Sequence, residues 1–247
     1  MRRYGNLGVV GETEDALGCF SFVYIVVTGT QPECSCYSGI LSACLQKHDY
    51  GGEKAMIRKL WQTTSEYVRA GKLADAVKYL ESGLAGCEGQ IFKSLIDADF
   101  TNDPTVIAGS INDLITFCDR SFDVRAIYLE MNGFDINPDR WYFESFAYRK
   151  CIDAADELDW LCEWDSPAWP DVTLTGLEQV QADFKRYSMR DGKREPSIGE
   201  LAEHAVLLVM CKFGQLIERS ISEGWVRQIP ILATAHDFDI IPRFNIS

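Results

Sequence analysis

The residues best suited to chemistry gather in one stretch. From Cys151 to Phe184 there are nine aspartates and glutamates and no lysine or arginine, with Trp160, Trp164 and Trp169 set among them. Carboxylates around tryptophan suit a basic partner, because the charges steer its approach and a desolvated indole anchors it. Asp153, Asp156, Glu157, Asp159, Trp160, Glu163, Trp164, Asp165 and Trp169 are therefore the candidate partner-binding residues. Two other readings stay open at this point. Trp160 and Trp164 stand four apart, which equally suits a helix with its indoles in the core and its carboxylates in water. Carboxylate pairs beside aromatics also serve glycoside hydrolysis, which depends on a separation that sequence does not fix.

Metal chemistry has weaker carriers. Cys34-Ser35-Cys36 with Cys19 and Cys44 offers thiolates, but the spacing is not the two-residue knuckle of structural zinc and no histidine lies at a matching distance. Histidine–aspartate pairs occur at His48-Asp49 and His236-Asp237. With His204 they faintly resemble the metal-dependent HD phosphohydrolases, whose ligands are a histidine, a His-Asp pair and a distant aspartate. In that family the pair sits on a helix, whereas the run Ile229 to Ala235 leads into His236 with the pattern of a strand. A hydrolase with dispersed acidic residues and a divalent metal, around Asp135, Asp139, His236 and Asp237, is the second functional reading. The chain has no Gly-x-Ser-x-Gly elbow, no phosphate-binding Gly-x-x-x-x-Gly-Lys-Ser/Thr loop and no Gly-x-Gly-x-x-Gly after a strand. No catalytic residue, cofactor or metal ligand is assigned.

The net charge of −13 sharpens the choice of partner. It argues against non-specific nucleic-acid binding, which needs lysine and arginine to replace phosphate counterions, and against anionic membranes. It permits a basic protein partner, a nucleic-acid-mimicking inhibitor, or simple solubility. Met1-Arg2-Arg3 runs into Tyr4-Gly5-Asn6 and not into an apolar stretch, so no secretory leader is expected. Nine cysteines, an odd number lying in apolar surroundings such as those of Cys118, Cys151 and Cys211, read as reduced thiols of a cytosolic protein.

The elements that must position these residues are legible from periodicity. The stretch 124–149 is rich in β-branched and aromatic residues, with turn chemistry at Asn132-Gly133 and at Asn137-Pro138-Asp139. It predicts a meander of strands at 124–131, 134–136 and 141–148. Both faces of these strands are apolar, so helices are expected on both sides. Further strands are expected at Cys19 to Val27, at Ile229 to Ala235 and at Ile240-Ile241, with a helical stripe at 37–47. Glu53 to Arg69 and Lys72 to Ala85 predict a helical hairpin. Its Tyr67, Gly71, Ala76 and Leu80 resemble one tetratricopeptide unit, but no second copy follows on which it could stack. Asp103-Pro104 opens a helix to about Cys118. Thr175 with Glu178 and Ser197 with Glu200 read as capping boxes opening two more. The second should be buried at its middle, where Ala205 to Cys211 is apolar all round. The expectation is one α+β domain over 1–247, with a central, mostly antiparallel sheet flanked by helices.

The segment Phe134-Asp135-Ile136-Asn137-Pro138-Asp139-Arg140-Trp141-Tyr142-Phe143 resembles segments in small cytosolic immunity proteins of bacterial polymorphic-toxin systems. The resemblance spans about 25 residues. It implies an acidic protein without catalytic motifs that binds a cognate toxin, often over the toxin's active site. It brings no functional residues of the family onto this chain. A non-enzymatic binding protein of that type, neutralising a basic partner, is the leading expectation.

Overall fold

The structure is a computed structural model and describes residues 53–134, 137–152, 158–188, 196–224, 226–236, 238 and 242–244. The expected strands at Cys19 to Val27 and Ile240-Ile241, the 37–47 stripe, and Cys34, Cys36, Cys44, His48 and Asp49 lie outside these residues, as do Asp135, Asp153, Asp156, Glu157 and Asp237.

Helices α1 (Glu53–Arg69) and α2 (Leu73–Gly86) form the expected hairpin. Gly71 makes the corner at φ 69°, a left-handed conformation that glycine adopts without steric cost. Helix α3 (Pro104–Cys118) starts as its sequence dictates, with proline in the first turn and Asp103 accepting from the Thr105 N–H at 2.8 Å. Strands β1 (Ala126–Asn132) and β2 (Tyr142–Tyr148) follow, then a short β3 (Val172–Thr173), α4 (Glu178–Ser188), the 29-residue α5 (Pro196–Gly224), β4 (Ile231–Ala235) and β5 (Arg243–Phe244). The sheet order is β3-β2-β1-β4-β5, antiparallel except where β1 runs parallel to β4. The fold is α+β on a mostly antiparallel sheet.

The register sorts the side chains. Ile127, Leu129 and Met131 of β1 share a face with Phe143 and Ala147 of β2 and with Ile231, Ala233 and Ala235 of β4. That face packs on α3 and α5, and the hairpin of α1 and α2 covers the far side of α5. Leu207, Leu208, Val209, Phe213, Leu216 and Ile217 are fully buried, so α5 is core on nearly every side. The opposite face, with Ala126, Tyr128, Tyr148 and Leu232, is covered by a 3-10 helix (Asp159–Cys162) that inserts Trp160 and Leu161.

Three local expectations are corrected. Asn132-Gly133 makes no two-residue turn, because Asn132 continues β1 and pairs with Tyr142. Phe134 is not a strand residue. Its φ of 58° turns the ring into the core against Trp141, Phe184 and Phe238, and that burial outweighs the local turn preference. The capping box at Thr175 does not close either. Its hydroxyl bonds Thr101 and Asn102, while Glu178 accepts from the Gly176 N–H, so tertiary contacts replace the local cap. Five of the nine cysteines are described, and two of these are in the core. Cys118 and Cys211 are buried free thiols, Cys151 is half-buried, and burial pushes the Cys211 thiol up to about 12.

Phe213→Ala, removing the ring wedged between Phe100 and Phe143, should lower stability in urea unfolding by about 3–5 kcal/mol. Loss of the exposed cap in Asp103→Ala should lower the urea midpoint far less.

Candidate functional site

The acidic tryptophan segment is laid against the end of β2. Both Asp165 N–H and Ser166 N–H donate to the Ala147 carbonyl, at 3.0 and 3.2 Å, and Ser166 Oγ accepts from the Ala147 N–H at 3.1 Å. Inside, the Tyr148 hydroxyl donates to the Leu161 carbonyl at 2.6 Å, and Trp160 meets the Tyr148 ring edge-on at 4.9 Å. These bonds fix which indole goes where. Trp160 is 4% exposed and belongs to the core, so it cannot be a partner anchor without unfolding. Trp164 is 40% exposed and rests on Phe146, ring centres 5.0 Å apart. Trp169 is half-buried on the helix side of the sheet, beside the exposed Phe117 at 5.5 Å. The three tryptophans thus serve three different places.

The carboxylates are less bare than the sequence suggests. Bases absent from 151–184 arrive from the end of β2: Lys150 pairs with Glu163 at 2.6 Å, and Arg149 with Asp165 at 3.1 Å. Asp165 also accepts from the Arg149 N–H, and the Arg149 guanidinium lies over the Phe122 ring. Asp159 is exposed. The Lys150–Glu163 pair lies largely in water, where such a pair is worth about 0–1 kcal/mol, so Glu163 can exchange partners at little cost.

From Trp164 a continuous strip crosses the sheet on this face. Phe146 stacks on Tyr128, whose hydroxyl donates to Glu130 at 2.9 Å, and Glu130 meets His236 Nδ1 at 2.6 Å. Glu144 stands directly opposite Glu130 in the β1–β2 register and accepts from the Asn132 amide at 3.0 Å. Two carboxylates facing each other across a ladder repel. Burial, followed by the Glu130 charge, accordingly holds the Glu144 carboxyl above its ordinary range. Burial and Glu130 together raise Tyr128 well above its ordinary value, which keeps it a neutral donor. At the edge, Arg140 forks onto Asp171 and lies 4.4 Å over the Tyr142 ring. This second carboxylate group comes from alternate positions of β1 and β2, and no motif announces it. The signal was the two-residue spacing of Tyr128, Glu130 and Asn132 against Tyr142, Glu144 and Phe146.

Of the dispersed hydrolytic set, Asp139 is ion-paired with Lys185 at 2.5 Å and His236 engages Glu130, while Asp135 and Asp237 lie outside the described residues. Comparison with protein-family models, characterised proteins and solved structures finds no match to this chain.

Because Glu144 is raised, it favours the folded state most at acid pH, and that contribution is lost as pH rises through its elevated value. Glu144→Gln keeps the bond from Asn132 without the charge. It should raise the unfolding midpoint at neutral pH and change it little well below the usual carboxylate range. Paired denaturation curves at the two pH values check this.

Proposed function

We propose that this protein is a non-enzymatic binding protein that engages a basic protein partner through the acidic, aromatic face of its sheet. The inhibitory role of immunity proteins in toxin systems, suggested by the resemblance in 134–143, is the role proposed for it. The observation that carries the reading is Trp164. A large indole, 40% exposed, rests on Phe146 of β2, and the exposed Asp159, Glu163 and Asp165 lie within five residues of it along the chain. An exposed tryptophan fixed in one orientation loses little conformational freedom on association, which makes it an effective anchor. The surrounding carboxylates act earlier, by raising the encounter rate with a positive surface.

The acidic strip beyond Phe146 extends the same character toward Glu130 and Glu144, where a lysine or arginine would relieve the repulsion between the two carboxylates. Among the described residues no helix is long and apolar enough to cross a membrane. The charge of −13 supports a basic protein surface as the partner.

The experiment is retention of a partner from native lysate on the tagged chain, followed by kinetics with the purified pair. One basic protein at near one-to-one stoichiometry is expected. Asp159→Lys with Glu163→Lys should lower the association rate at low salt by roughly tenfold or more and leave dissociation nearly unchanged. Trp164→Ala should instead speed dissociation, costing about 2–4 kcal/mol of affinity. An association rate unmoved by the double charge reversal, with affinity unmoved by Trp164→Ala, rules this face out.

A further inference from the structure

On the opposite side of the molecule, where the end of α2 meets the start of α5, three side chains of metal-ligand type converge. Cys87 Sγ, a carboxylate oxygen of Glu200 and a ring nitrogen of His204 all lie within 4.8 Å of one another. Glu200 and His204 are one helical turn apart on α5, and Cys87 caps the C-terminus of α2. We propose that Cys87, Glu200 and His204 form a binding site for a divalent metal ion of the zinc class.

Four features support it. His204 Nδ1 lies 3.1 Å from the Glu200 carbonyl, which can only accept, so the proton sits on Nδ1 and Nε2 keeps its lone pair. Such an outer-shell bond to the second ring nitrogen is what orients ligating histidines. The imidazole is 7% exposed and is pressed against Gly83, where a Cβ would stand 2.5 Å from Nε2. Glycine at that position is what lets the ring reach the Cys87 side of α2, because Cys87 Sγ is bonded to the Gly83 carbonyl at 3.3 Å. The donor set of one sulfur, one nitrogen and one carboxylate oxygen matches a borderline cation, and it leaves a fourth tetrahedral position to water. Solvent has a way in, since Cys87 and Glu200 are only half-buried while His204 backs them from inside.

Charge is consistent with this placement. A thiolate and a carboxylate together balance a divalent ion. Lys93 donates to the carbonyls of Leu84, Ala85 and Cys87, so its ammonium already neutralises the α2 C-terminus and leaves the Cys87 and Glu200 side chains as the counter-charges for the metal. Without a cation the single thiol proton is shared between the Gly83 carbonyl at 3.3 Å and Glu200 at 3.6 Å, and burial and the Glu200 charge raise the Cys87 thiol. A metal takes the place of that proton, which is released on binding. Bound there, the ion ties the helical hairpin to the central helix.

The test is cobalt titration of the reduced full-length chain, because cobalt reports thiolate ligation optically. One equivalent should bind with a thiolate-to-cobalt charge-transfer band, which zinc should displace. Cys87→Ser should abolish the band. Glu200→Gln should weaken affinity by at least the ~10–100-fold that loss of even an outer-shell partner costs. Gly83→Ala should weaken it too, by driving the imidazole away. Far-ultraviolet circular dichroism confirms that each variant is folded. A reduced protein that gives no band overturns the proposal. So does a band that survives Cys87→Ser, which would place the metal on others of the nine cysteines. A cobalt affinity unmoved by Glu200→Gln removes the carboxylate from the set.

Discussion

The structure depends on the burial of one helix that has almost no polar side. The middle of α5 is apolar around its circumference, so water must be excluded on every side of it. The sheet does this from one direction and the α1–α2 hairpin from the other. The one charge in that stretch, Lys212, is 4% exposed, and its ammonium is held by Glu81 at 2.7 Å and the Ala98 carbonyl at 2.5 Å. A buried ammonium without those partners would be costly, so the pair fixes how α2 sits along α5. The same alignment brings Cys87 over Glu200 and His204, at the N-terminal end of the contact.

With its best helices committed to one face, the sheet must find other cover for the second. The 3-10 helix and its tail supply it at the β2 end by placing Trp160 on Tyr148. Toward the other end, the alternation of side chains along β1 and β2 puts Tyr128, Glu130, Glu144 and Tyr142 on that surface. The result is a face that changes from packed core, through the Phe146–Trp164 stack, to half-buried carboxylates.

Much of this was legible in the sequence, and the reasons are local. Asp103-Pro104 specifies a helix start by itself, and the helices over 53–69 and 104–118 follow the apolar period closely. The strand at Ile231–Ala235 is a short apolar run, and its parallel pairing with β1 is a tertiary fact that no run of residues encodes. Asn132-Gly133 misled because a strong turn signal lost to the burial of Phe134. The candidate surface was half legible. Composition located the acidic stretch, but four-residue spacing could not say that Trp160 turns in and Trp164 out, since the segment is a 3-10 turn stapled to β2. The Glu130–Glu144 pair and the Cys87, Glu200 and His204 cluster depend on register and helix packing between distant residues, which spacing along the chain does not reveal.

The face around Trp164 is the place proposed for a partner. Amide hydrogen exchange, measured on the free chain and on the chain saturated with the basic protein it retains, tests this most directly. Slowed exchange is expected in β2 and in 158–166, with α1 and α2 unchanged. Protection confined to α1 and α2, with the Trp164 segment exchanging as in the free protein, would contradict it.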